Sequence, residues 1–132
     1  GRYRLTASVS VPLHDLHRLS CCSAAPDTWL VSNGWVTLDR GSCEVRFEVG
    51  YAWDGASGPA MDTQTIMRGS LVHDGLYQLI REGMLSVSDR RYADQVLRRV
   101  CLEDGMSRVR GWWVYWAVRV FGGYAARPPK TR

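Results

Sequence analysis

An α+β domain is the fold class this sequence predicts, with a small antiparallel β-sheet from the N-terminal half packed with three C-terminal helices. Two observations carry that expectation. Over residues 3–11 and 43–51 the apolar residues recur at every second position, and after Pro59 they recur at every third or fourth. Strands gathered first and helices last mark α+β organisation rather than alternating α/β units. A third observation is length. A chain of 132 residues suits one domain, and such a domain buries roughly two-thirds of its unfolded surface without staples.

The elements follow in order. Tyr3, Leu5, Ala7, Val9 and Val11 share one face and predict a strand over residues 3–11. Residues 14–26 carry turn and polar side chains and read as a loop. Residues 29–39 are strand-like, with Asn33-Gly34 as a hairpin turn. Val45, Phe47, Val49 and Tyr51 predict one strand face over residues 43–51. The Gly, Ser and Pro of residues 54–59 exclude regular structure there.

Beyond Pro59, Asp62 or Thr63 can cap a helix. Its buried face is predicted from Ile66, Gly69, His73, Leu76, Tyr77 and Ile80, and Gly83 stops it. Ser86-Val87-Ser88-Asp89 is a capping pattern for a second helix. That helix has the apolar stripe Ala93, Val96, Leu97, Val100 and Cys101, and Gly105 ends it. A third helix starts at Ser107, carries Val109, Trp112, Trp113, Trp116, Ala117 and Val120, and stops at Gly122-Gly123. The expected organisation is one domain over residues 1–124 and a basic, proline-containing tail over 125–132.

Composition narrows the function classes. The chain is 45% hydrophobic and 23% charged, with six Trp and six Tyr, which excludes disordered and fibrous classes. The net charge is +4 and the pI about 9.1. Sixteen of the 17 basic residues are Arg, spread from Arg2 to Arg132 with acids between them. Without a clustered basic stripe, no specific nucleic-acid binding is expected. Cys21, Cys22, Cys43 and Cys101 show no CxxC pair and read as reduced thiols of a cytosolic protein. No signal-peptide pattern opens the sequence, and no apolar run of 18 residues predicts a membrane span.

Three short stretches carry polar groups where the pattern is otherwise apolar. Asp54, in Trp53-Asp54-Gly55-Ala56-Ser57-Gly58-Pro59, can bond the amides that follow it. His73-Asp74 interrupts a nearly all-apolar helix. A buried His needs partners for its ring nitrogens, because an unsatisfied polar group costs about 1–3 kcal/mol. Gly75 costs that helix about 1 kcal/mol relative to Ala, so something must approach it closely. The Asp54 loop is the expected neighbour. Asp94 lies one step off the stripe of its helix, at the edge of the buried face, within reach of Arg90, Arg91 or Arg98 for a surface ion pair. Asp54, His73, Asp74 and Asp94 are hard oxygen and nitrogen ligands. They can hold a divalent metal that activates water, or form a structural network tying a loop to two helices.

In order, Tyr51-Ala52-Trp53-Asp54-Gly55-Ala56-Ser57-Gly58-Pro59, Arg68-Gly69-Ser70-Leu71-Val72-His73-Asp74-Gly75-Leu76-Tyr77, Ala93-Asp94 and Tyr115-Trp116-Ala117-Val118-Arg119-Val120-Phe121-Gly122 resemble domain-of-unknown-function family 1353. The resemblance covers about residues 30–122, residues 1–28 being less typical. It departs from the family pattern at Trp53, where a threonine is usual. The family's members are small proteins common in tailed-phage and prophage genomes. The resemblance therefore implies a phage origin but no established reaction, and the location expected with that origin is the host cytoplasm, with incorporation into the virion. The His-Asp pair also evokes HD-type phosphohydrolases. Those are all-helical and need a histidine on an earlier helix, whereas His14 and His17 fall in a loop between strands.

In the closing helix Arg108, Gly111, Tyr115, Arg119 and Gly122 form one narrow polar line. An outer helix packed on one core needs an apolar stripe of only about 100°. The helix is therefore expected either to lie centrally against the sheet, or to offer Trp112, Trp113, Trp116 and Phe121 to a partner or a second copy. Two functions are carried forward. The first is a non-enzymatic phage accessory protein of virion structure or morphogenesis, which binds other phage structural proteins or itself and needs no cofactor. The second is a metal-dependent hydrolase, directed for example at cell-wall material, with Asp54, His73, Asp74 and Asp94 as catalytic and metal-binding residues.

Overall fold

The computed structural model describes residues 3–20, 29–53 and 64–125. Its strands are β1 (Tyr3–Arg4), β2 (Val9–Pro12), β3 (Leu30–Ser32), β4 (Val36–Asp39), β5 (Glu44–Phe47) and β6 (Ala52–Trp53). Three helices follow: α1 (Gln64–Arg81), α2 (Arg90–Glu103) and α3 (Arg108–Ala125). A four-stranded antiparallel sheet has the order β2-β5-β4-β3, and β1 pairs with β6 in a separate two-stranded ribbon. The fold is α+β, as the periodicity predicts.

The strands are shorter than the alternation suggests. Residues 3–11 divide into two pairings, β1 with β6 (Tyr3 opposite Trp53) and β2 with β5 (Val11 opposite Val45). Asn33 sets the β3–β4 hairpin as expected. Its Oδ1 accepts from the amides of Trp35 and Val36, and Gly34 takes φ +93°. The third alternating run breaks after Phe47. Val45, Phe47 and Tyr51 are buried but Val49 is exposed, because Gly50 at φ +89° reverses the chain toward β6.

The segment expected to be only a loop supplies core. A 3-10 turn, Leu16–Arg18, lets Leu13, Leu16 and Leu19 pack almost wholly out of solvent, each contributing about 1.5–3 kcal/mol. Leucines spaced by three in a polar stretch are too short a signal to predict a helix.

α1 buries the face its period predicts and stops at Gly83, φ +79°. Its predicted caps, Asp62 and Thr63, lie outside the described residues. Gly75 meets the sheet rather than the Asp54 loop as far as the described residues show. A Cβ there would stand 2.5 Å from Phe47 Cε1, so glycine lets the helix backbone rest on that ring. Gly69 does the same between helices, where a Cβ would stand 2.8 Å from Cys101 Sγ on α2. The Ser86–Asp89 capping box is present, and Asp89 also accepts from the amide and hydroxyl of Ser20, fastening the leucine segment to the start of α2.

α3 departs furthest from expectation. It runs through Gly122-Gly123 to Ala125, its carbonyls at Val118 and Arg119 bonded by the Arg90 guanidinium. It does not lie centrally against the sheet. Val114 is fully buried against α1 and α2 side chains, while Val109, Trp112, Trp113, Trp116, Val120 and Phe121 are exposed.

Candidate functional site

Helical geometry puts residues four apart on one stripe. On α1 that stripe holds His73 and Tyr77, whose rings lie 4.1 Å apart between centroids. α2 packs beside it and presents Asp94, fully buried by its neighbours. His73 Nε2 lies 2.7 Å from Asp94 Oδ1, and the Tyr77 hydroxyl donates to the same oxygen at 2.6 Å. From α3, Arg119 Nη1 donates to Oδ2 at 2.9 Å. One carboxylate thus gathers a side chain from each of the other two helices.

The electrostatics are consistent with an ionised Asp94. Burial pushes its carboxyl upward, but the bonds from His73, Tyr77 and Arg119 outweigh that cost and hold it below the ordinary carboxylate value. An ionised carboxylate only accepts, so His73 Nε2 carries the hydrogen. Burial, and then the Asp94 bond, raise the Tyr77 phenol far above its ordinary value, so it stays a neutral donor.

Of the four residues predicted for this site, the structure brings His73 and Asp94 together. Asp54 lies outside the described residues. Asp74 belongs to the neighbouring stripe of α1 with Gln78, and its charge acts on the buried Tyr51 phenol, whose hydroxyl donates to Gln78 Oε1 at 3.1 Å. Among the described residues, no three His, Cys, Asp or Glu side chains are grouped so that they could hold a metal ion. Asp94 is at the centre of the buried face rather than its edge. The expected surface pair with Arg90, Arg91 or Arg98 is replaced by Arg119, the cation that the sequence reading assigned to the polar line of α3.

Two members of the cluster were not foreseen. Tyr77 could have been found from its i,i+4 spacing to His73 on a buried face. Arg119 could have been found from its glycine companions. A Cβ at Gly111 would stand 3.1 Å from Leu102 on α2, and one at Gly122 would stand 2.6 Å from the Tyr77 hydroxyl oxygen. Glycines on the line of an arginine mark the side where a helix touches its neighbours.

The orientation of α3 is therefore inverted relative to ordinary amphipathic packing. Gly111, Arg119 and Gly122 face the protein, and the aromatic side faces solvent. Trp113 is 64% and Phe121 78% exposed. The Trp112 ring lies edge-on to Trp113 at 5.4 Å and to Trp116 at 6.5 Å, making one continuous aromatic surface. No helix of the described residues is long and apolar enough to cross a membrane.

A clamp of three helices on a buried carboxylate, with an aromatic face turned outward, defines a small α+β helix-clamped domain. The family model described as protein of unknown function, DUF1353, matches residues 16–118, and the chain belongs to that family. The match starts earlier than the motifs suggest and takes in Leu16 and Leu19. No curated protein and no solved structure matches the chain.

Proposed function

We propose that the chain is a phage-encoded accessory protein of virion assembly, which works by binding other phage structural proteins through the aromatic face of α3. The observation that carries the reading is the outward placement of Trp112, Trp113, Trp116 and Phe121 on a helix whose Gly111, Arg119 and Gly122 are engaged by the protein's own helices. Contiguous exposed aromatics are costly to leave in water and characteristic of interaction surfaces. The phage context rests on the motif resemblance. Partnership with other virion proteins, location in the host cytoplasm and entry into the particle follow as parts of the same proposal.

The test is mass spectrometry of particles and assembly intermediates made by the encoding phage, with wild-type chain and with Trp113→Ala/Trp116→Ala. The wild type is expected in one of those fractions and the variant is not. Absence of both, or equal incorporation of both, overturns the reading.

A metal-dependent hydrolase using Asp54, His73, Asp74 and Asp94 is the second reading. The observation in its favour is the 2.7 Å His73–Asp94 pair, since a carboxylate that orients an imidazole is a common acid–base arrangement. Against it stands the occupation of both Asp94 oxygens by donors from this chain. Divalent metal that bound only the folded protein would raise its melting temperature, and no such rise is expected. A rise abolished by Asp54→Asn or Asp74→Asn reverses the preference.

A further inference from the structure

Arg98 on α2 has an unusual position. Its stem packs beside Gly111 of α3, where a Cβ would stand 3.7 Å from Arg98 Cγ. Among the described residues its Nε is buried without a hydrogen-bond partner. Beside it, Arg98, Arg108, Val109 and Trp112 line a hollow of about 340 Å³. On its other side a larger hollow is bordered by Arg98, Arg99, Glu103 and Tyr115. The other charges in that second hollow are already matched, Arg99 by Asp15 and Glu103 by Arg68. Among the described residues, Arg98 and Arg108 enter no ion pair.

A buried donor with no acceptor is a cost that native structures rarely carry. Here it lies between two hollows that both border the exposed tryptophans, since Trp112 lines one and Tyr115, in the other, touches Trp116 at 5.4 Å. α3 itself contains no Asp or Glu, while Arg108 stands at its first position. An apolar surface with an unmatched cationic edge is complementary to an apolar segment with an anionic edge.

We propose that the α2–α3 crossing is the recognition site of the α3 surface, and that its occupant is a protein segment carrying a carboxylate beside an aromatic or aliphatic anchor. The carboxylate pairs with Arg98 and Arg108, and the anchor lies on Trp112 and Trp113. This inference rests on the interaction reading above and adds the chemistry of the partner. A second copy of the chain fits poorly, because two copies of α3 would bring arginine against arginine. An anionic membrane surface is the competing occupant.

The probe is a random peptide library displayed against the purified chain, followed by anisotropy with the enriched peptides, their Glu→Gln or Asp→Asn forms, and phosphatidylglycerol vesicles. Enriched peptides are expected to place an acid next to a large apolar residue. Arg98→Met keeps the packed stem and removes the orphaned donor, so it is expected to fold normally and to bind roughly 10–100-fold more weakly, the effect of losing a hydrogen bond to a charged group. Arg108→Gln, on an exposed residue, gives the same loss of acid preference and decides the matter if Arg98→Met does not fold. Acid-free enriched peptides that Trp113→Ala still abolishes would overturn this inference and leave the interaction reading standing. No enrichment, or binding to vesicles in place of peptides, overturns it as well.

Discussion

Asp94 and Arg119 meet at 2.9 Å across the α2–α3 interface, the carboxylate fully buried and the guanidinium side chain 21% exposed. That pair decides which side of α3 faces the protein. With Arg119 held inward, Val114 and Gly111 follow it to the interface, and the tryptophans have only solvent or a partner to face.

Breaking this pair is expected to be expensive. Removing one member of a buried ion pair costs about 3–5 kcal/mol, and Asp94→Ala is expected near 3 kcal/mol because Arg119 keeps some hydration. Tyr77→Phe deletes one donor to a charged acceptor and is expected to cost about 1.5–3 kcal/mol. Urea titrations of both variants check the order. Tyr77→Phe more damaging than Asp94→Ala would contradict it.

The same cluster sets an acid limit. The folded Asp94 carboxyl lies below its ordinary value, and so does Asp15, where bonds from Arg99 and Tyr92 outweigh burial. A lowered folded value means stability that is complete above the unfolded value, about 3.9, and is lost as pH falls through the folded one. Stability should therefore fall below about pH 4. Asp94→Asn should be less stable at neutral pH, with a shallower fall in acid because one of the lowered carboxyls is gone. Melting temperatures measured from pH 2 to 7 test this. Parallel curves for the two proteins would refute the assignment.

Gly75 offers a test with a sign. In a free helix Gly→Ala stabilises by about 1 kcal/mol. Here the added Cβ meets the Phe47 ring at 2.5 Å, so Gly75→Ala is expected to destabilise by about 1–3 kcal/mol, the usual cost of overpacking. The double variant with Phe47→Leu should recover part of the loss. Stabilisation by Gly75→Ala alone would show that α1 does not rest on Phe47.

The exposed aromatics should behave in the opposite way. Replacing Trp113 or Trp116 by Ala is expected to leave stability within about 0.5 kcal/mol, as for surface substitutions away from special features. A core tryptophan would cost about 3–5 kcal/mol. Thermal melts separate these outcomes, and Trp53→Ala serves as the buried comparison because its Nε1 donates to Ser70 in the core.

Much of the architecture was legible because period and capping act locally. The shift from alternation to helical spacing marked the two halves, and Asn33-Gly34, Gly83, Ser86 and Gly105 marked ends. His73 announced a partner because a buried imidazole must have one. The partner itself was harder to read. The stripe of α2 puts Asp94 at an edge, since a stripe on one helix does not show how two more helices cover it. Periodicity places Arg119 on the polar line of α3 but does not show which way that line faces. The reversal depends on a buried charge 25 residues earlier, a tertiary effect that no periodicity encodes. Leu13, Leu16 and Leu19 were missed because their single 3-10 turn has too few residues to show a period.

The inverted orientation of α3 is the claim on which the interaction reading stands, and oxidative footprinting of the isolated protein at low concentration tests it most directly. Hydroxyl radicals should modify Trp113 and Trp116 rapidly, while Trp29 and Trp53, each no more than 9% exposed, stay protected. Equal protection of Trp113 and Trp53 would show that the aromatic side of α3 is packed into the protein, and would contradict the account.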